Sequence, residues 1–212
     1  MTDRYQTLQA KARAQHLDIL GAFHPGLPGA QTLCLLAPSE PGFWAHLKGS
    51  REFLDAQPDP IDRWSMRVVT ELASGLGARA VFPFEGPPYH PFIDWALASG
   101  HCWTSPATLL VNDRQGLWVS FRGALIFEDW LALPEAGARP CDTCLDQPCK
   151  TACPVAALTA GGYDVAACKA HVVSAAGRDC REGGCLVRRA CPVSIGFGRS
   201  ADQSAHHMAY FL

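Results

Sequence analysis

The sequence predicts a mixed α+β protein in two parts. Three observations carry this. Stretches with apolar residues at helical spacing alternate with short apolar runs bounded by turn residues, as α+β chains require. Eight of the ten cysteines fall in the 51 residues from Cys141 to Cys191. Between the two regions lies LALPEAGARP, residues 131–140, a proline- and glycine-bearing stretch that reads as a linker. The expected division is 1–135, 136–200 and a tail, 201–212.

The elements follow in order. Residues 4–20 place Leu8, Ala12, Leu17 and Leu20 near one face, which predicts an amphipathic helix with Gly21 as its stop. TLCLLA at 32–37 predicts a buried strand, closed by Pro38, Pro41 and Gly42. Asp59-Pro60 supplies an N-cap and an N1 proline to a helix carrying Ile61, Trp64, Val68, Leu72 and Leu76. Residues 79–82 read as another strand. The run from Phe82 to Phe92 holds prolines at 83, 87, 88 and 91, which exclude regular structure, yet it is rich in aromatics. Such a loop either lines a ligand pocket or folds onto its own core. A short helix over 93–98 stops at Gly100. A hairpin is expected next, with ATLLVN (107–112) and LWVSF (117–121) flanking Asp113–Gly116, broken at Arg122-Gly123 and resumed over 124–127.

Composition bounds the function. Hydrophobic residues make up 48% and charged residues 18%, enough for a core. The net charge of -2 gives no electrostatic case for nucleic acid or an anionic membrane. The polar start, MTDRYQTLQAKARAQ, lacks the apolar run of a signal peptide, and no stretch is apolar and long enough to span a bilayer. A cytoplasmic protein is expected. There cysteine clusters serve metal or redox chemistry, not disulfide frameworks.

The cysteine spacing is specific. Cys141-x2-Cys144-x4-Cys149-x3-Cys153-Pro154 is followed by Cys168, Cys180, Cys185 and Cys191-Pro192. Ferredoxins use C-x2-C-x2-C-x3-C-P, with the fourth cysteine ligating the other cluster. Two [4Fe–4S] clusters are therefore expected. The ferredoxin crossover assigns Cys141, Cys144, Cys149 and Cys191 to one, and Cys153, Cys168, Cys180 and Cys185 to the other. The x4 gap before Cys149 departs from the standard run, so spacing alone leaves the pairing open. The alternatives are disulfides or zinc, but zinc sites of four cysteines usually show two C-x2-C knuckles and here there is one. Lys150, Lys169, Arg178, Arg181, Arg188 and Arg189 surround this region, either balancing thiolate charge or raising a cluster's potential.

Elsewhere no P-loop, G-x-G-x-x-G or H-E-x-x-H occurs. His24, His46 and His101 read as surface or satisfied core residues. Cys34 reads as an inert strand residue, and nothing positions Cys102 as a nucleophile.

Two resemblances add to this reading. The order Cys153-Pro154, an isolated Cys168 after Asp164, and the closing Cys191-Pro192 resemble the dicluster ferredoxin module of epoxyqueuosine reductase over about 60 residues. That family pairs two [4Fe–4S] clusters with cobalamin. Phe23-His24-Pro25-Gly26-Leu27-Pro28, the Leu33–Pro38 strand, Asp59-Pro60-Ile61-Asp62 and Gly116–Gly123 are similar, in order, to the animal cobalamin-processing family, which removes upper ligands from cobalamin. These resemblances imply a nitroreductase-like domain followed by a ferredoxin-like module. They further imply a reductase passing electrons from the clusters to a corrinoid, in preference to a flavin. Phe84, Tyr89, His90, Trp118 and Arg122 are the candidate pocket. A redox donor or acceptor protein is the expected partner. The family's acidic proton donor has no clear counterpart here, and its tRNA extension is lacking, so nucleic acid is not expected. His206 or His207 could ligate cobalt, although a docked tail is the simpler expectation. The alternative function is electron transfer alone, with the N-terminal part docking a partner and binding no corrinoid.

Overall fold

A computed structural model describes residues 4–212 of the chain; the first three residues of the polar N-terminal stretch lie outside it. Helix α1 (Arg4–Ala14) leads into strands β1 (Leu17–Phe23) and β2 (Thr32–Pro38). Helices α2 (Phe43–Lys48), α3 (Arg51–Leu54) and α4 (Pro60–Ser74) precede β3 (Arg79–Val81) and α5 (Phe92–Ala98). Strands β4 (Cys102–Thr104), β5 (Leu110–Asn112) and β6 (Gly123–Phe127) follow. The remainder holds β7 (Leu158–Thr159), β8 (Gly162–Tyr163), α6 (Val165–Val173), α7 (Arg178–Gly183), α8 (Leu186–Ala190), α9 (Pro192–Gly196) and α10 (Ala201–Phe211). The mixed α+β class is as expected.

Two compact units emerge. The first holds residues up to His101 together with Ser120–Gly137, and the second holds Cys102–Val119 with Ala138–Leu212. A break near residue 135 thus describes only part of the division, because Cys102–Val119 belongs with the cysteine-rich region. Its Ala107, Val111 and Leu117 share one buried cluster with Cys149, Leu158, Val187 and Cys191.

The first unit is built on a four-stranded antiparallel sheet, ordered β1-β2-β6-β3. Strand β2 is buried along its whole length, which is why it reads as a continuous apolar run. Alternate residues Cys34 and Leu36 of β2, and Leu125 and Phe127 of β6, join Leu8 of α1 and Trp64, Val68 and Leu72 of α4 in one core.

The expected helix over 4–20 ends at Ala14. His16 takes a left-handed backbone (φ 53°), and Leu17–Phe23 pairs with β2 as a strand. The register shifts between Ile19 and Gly21. Gly21 is therefore no helix stop; it lies where a Cβ would come within 2.3 Å of Ser99 Oγ. Helix α4 begins at Pro60 as expected, but Asp59 does not cap it. That residue sits at φ 52° and its side chain makes no capping hydrogen bond. The expected hairpin also differs. Strand β5 pairs with β4, and 117–121 is not a strand. The turn itself forms: Asn112 and Gly116 exchange backbone hydrogen bonds, and Asn112 Oδ1 accepts the N–H groups of Arg114 and Gln115. Beyond it, Trp118 N–H bonds back to Gln115 O, which turns the chain away from β5.

Candidate metal centre in the second unit

All ten cysteines are free thiols. Cys34 and Cys102 belong to strands, where burial pushes their pKa values to about 12 and about 11. Both stay protonated at neutral pH and are poor nucleophiles.

The other eight fall into two sets. Cys141, Cys144, Cys149 and Cys191 line one apolar pocket with Val111, Leu117, Pro140, Pro148 and Pro192. Local structure positions them. Pro140 and Pro148 each open a single 3-10 turn that carries Cys141 and Cys149, and Pro192 starts α9 directly after Cys191. Burial raises the Cys141 and Cys149 thiols, and the neighbouring thiols of the set raise them further.

In the second set, Cys168 feels Cys185 and Cys153, and Cys180 feels Cys185 and Cys168. Cys168 rides on α6, whose N-cap Asp164 accepts the Ala167 N–H at 2.9 Å. Cys180 lies in α7 and Cys185 at the start of α8. The Ala157 N–H donates to Cys153 Sγ at 3.2 Å, and burial raises the Cys168 thiol, an effect the neighbouring Tyr163 side chain partly offsets. Tyr163 escaped the sequence reading. Its signal was its place one residue before the N-cap of the Cys168 helix.

The thiols of Cys141, Cys149, Cys168 and Cys180 resist ionisation unless cationic charge arrives. The donor set is all sulfur, which suits soft metals and iron–sulfur clusters. Among the described residues no group of three or more His, Cys, Asp or Glu side chains is arranged around a single ion. One zinc draws its sulfurs to about 2.3 Å from a common centre, whereas a [4Fe–4S] cluster takes one thiolate per iron and so a wider set. Eight free thiols in two sets of four match in number and donor type what two such clusters would need.

The five candidate pocket residues are divided between the units. In the first, Phe84 stacks on Phe82 (5.4 Å) and packs against the core, while His90 stacks on Trp95 (5.6 Å). Tyr89 is exposed, as are Ile93 and Leu97, one turn apart on α5. Arg122 is 12% exposed and lies 3.9 Å from Asp62; its Nη2 donates to Ser120 Oγ, and its Nε is buried without a hydrogen-bond partner. Burial raises the Asp62 carboxyl, an effect Arg122 partly offsets. Trp118 belongs to the second unit, under the guanidinium of Arg199 (4.8 Å).

The histidines behave as framework. His24 stacks on Trp130 and bonds the Gln31 carbonyl at 2.9 Å, and His46 packs beside His16 and Trp64. The expected tail is helix α10, capped by Ser200, whose Oγ accepts the Gln203 N–H. Its far end returns to the second thiol set, with Phe211 stacked on Tyr163 (6.4 Å) and under Lys169 (5.3 Å). No helix among the described residues is long and apolar enough to cross a membrane.

No protein-family model matches the chain, and no curated protein or solved structure is significantly similar to it.

Proposed function

We propose that the protein is an iron–sulfur redox protein. Its second unit would be a ferredoxin-like module holding two [4Fe–4S] clusters, one on Cys141, Cys144, Cys149 and Cys191, the other on Cys153, Cys168, Cys180 and Cys185. The two quartets of free, crowded thiols are the observation that carries this reading. The clusters supply one-electron transfer at low potential. The chain's own residues hold them, keep water from Cys149, Cys180 and Cys191, and place the Ala157 N–H on Cys153.

The first unit would be nitroreductase-like and hold a corrinoid that takes the electrons. This rests on the resemblance, and two features favour it. Arg122 keeps an unpartnered buried Nε beside Asp62, as a site for a polar ligand group would. Tyr89, Ile93 and Leu97 leave apolar surface exposed near the aromatic loop, which a large planar ring would cover. Pure electron transfer is the second reading, favoured by the pairing of Phe84 with Phe82 and of His90 with Trp95.

Anaerobic reconstitution with iron and sulfide counts tests the cluster reading, and a visible spectrum with and without cobalamin tests the acceptor. About eight irons per chain and a cobalamin spectrum that changes only with reduced protein support the reductase. The same iron with an unchanged cobalamin spectrum leaves a carrier. Zinc without sulfide overturns both.

A further inference from the structure

The cavity lined by Cys141, Cys144, Cys149 and Cys191 has a wall of apolar side chains, four of them prolines, and two polar ones, Ser105 and Gln147. Gln147 is half-buried. Ser105 is 5% exposed, and its Oγ is buried with no hydrogen-bond partner.

The backbone fixes where that hydroxyl stands. Strand β4 ends at Thr104, whose carbonyl accepts Nη2 of Arg139 at 2.8 Å, two residues before Cys141. The chain then turns at Pro106. The Ser105 N–H donates to the Leu109 carbonyl at 2.8 Å, and the Ser105 carbonyl accepts the Thr108 N–H at 3.0 Å. Thr108 takes φ 59° in this turn. Both backbone groups of Ser105 are therefore satisfied without its side chain. A hydroxyl held out of water with no partner costs free energy, and few buried side chains leave one so. The four sulfurs border the same cavity, yet none of them makes a hydrogen bond with Ser105 Oγ. A thiol of the wall is thus not what this hydroxyl serves.

We propose that the Ser105 hydroxyl is a hydrogen-bond donor to the cluster on Cys141, Cys144, Cys149 and Cys191, with a bridging sulfide as acceptor, and that it raises the reduction potential there. This rests on the iron–sulfur reading. In a [4Fe–4S] cluster each iron takes one thiolate, the sulfides between the irons remain as acceptors, and hydrogen bonds to the sulfurs help to set the potential. One-electron reduction adds negative charge, so a donor aimed at a sulfide favours the reduced form. The hydroxyl keeps its proton throughout. The segment Cys102–Val119, which carries no cluster cysteine, thereby supplies a contact to the cluster.

The test begins with iron counts on anaerobically reconstituted protein. Protein without iron would fail the iron–sulfur reading and this assignment with it, whereas loaded protein with no effect at Ser105 would fail this assignment alone. Cys168→Ser breaks the second set and leaves the first; Cys141→Ser does the reverse. In the Cys168→Ser background, dithionite titration followed by electron paramagnetic resonance reads the potential. There Ser105→Ala should cut the reduced-to-oxidised ratio at fixed potential about threefold, which is about 28 mV for one electron. Ser105→Thr keeps the hydroxyl and should stay near the parent value. In the Cys141→Ser background, Ser105→Ala should change nothing. Electron–nuclear double resonance of reduced Cys168→Ser protein should also show a coupled proton that exchanges in D2O and is lost in Ser105→Ala. An unmoved potential, a retained coupling, or the same shift in the Cys141→Ser background would overturn the proposal. Should Ser105→Ala lose iron, the parent and Ser105→Thr decide: an exchangeable proton coupled in both supports the contact, and its absence from both rejects it.

Discussion

Ser194 Oγ accepts the backbone N–H of Leu117 at 2.8 Å, three residues beyond Cys191. Both residues are buried, and the bond ties Cys102–Val119 to the end of the cysteine-rich chain. Gly116, next to Leu117, has φ 58°, and a Cβ there would come within 2.4 Å of Ser194 N.

These contacts set a graded expectation. Ser194→Ala leaves a buried N–H without a partner and should cost about 1–3 kcal/mol. Gly116→Ala adds a left-handed strain to a clash with Ser194 backbone and should cost more. Urea unfolding of the reconstituted protein, with iron retention followed in parallel, measures both. Wild-type stability in both variants would show that the turn and the Cys191 segment are independent.

A second expectation concerns acid. Arg67 makes a two-pronged pair with Glu52, Nε to Oε1 at 2.5 Å and Nη2 to Oε2 at 3.0 Å. The Glu52 side chain is buried, and the Arg67 hydrogen bonds hold its pKa down to about 2, against an ordinary 4.5. A folded-state pKa below the unfolded one stabilises the fold above pH 4.5, and that contribution fades as pH falls from 4.5 toward 2. Glu52→Gln should flatten stability over that window, and Arg67→Ala should cost about 2 kcal/mol at neutral pH. An unchanged acid profile in Glu52→Gln would place the acid sensitivity elsewhere.

What was legible in the sequence, and what was not, follows from range. Strand β2, helix α4 and the Gly100 stop after α5 are local patterns, and each formed where its own residues ask for it. Leu17 and Leu20 misled because their spacing also suits a helix, and the decision lay in pairing with β2, where partners lie 10 to 21 residues away in sequence. The partner of β5 lay on the other side of the chain: it pairs with β4, 6 to 10 residues before it, and not with the apolar run that follows it. In the site, the order of eight cysteines stood in the sequence. The Ala157 N–H on Cys153, the Arg188 bond to the Leu117 carbonyl and the Asp62–Arg122 pair did not, since each depends on what a group meets after folding.

Thr32 gives a third expectation. It is fully buried, donates to the Asp129 carbonyl at 2.8 Å and accepts the Leu131 N–H at 3.0 Å. One hydroxyl thus pins the start of the 131–140 stretch to β2. Thr32→Val keeps the shape but leaves two backbone groups unpaired, and should cost about 1–3 kcal/mol. Limited proteolysis should then cut faster within 131–140. An unchanged cutting rate would mean that Leu131, itself buried, holds the segment by its side chain alone.

The last expectation separates the two units by metal removal. Cys149 and Cys191 are part of the apolar core of the second unit, alongside Val111, Leu117, Leu158 and Val187. Crowded thiols without cations repel as they ionise, so folding of this unit should be linked to metal. The first unit owns a separate core around Trp64, Leu36 and Phe127 and makes no use of those sulfurs. Chelation of iron should therefore loosen Ala138–Leu212, seen as faster hydrogen exchange in α6, α7 and α8, while β1, β2 and β6 keep their protection. Cys168→Ser and Cys141→Ser should each leave about four irons per chain, and only the former should expose α6. Loss of protection across both units on chelation would show that the first cannot stand on its own core; loss in neither would show that the second is held by its apolar contacts without the metal.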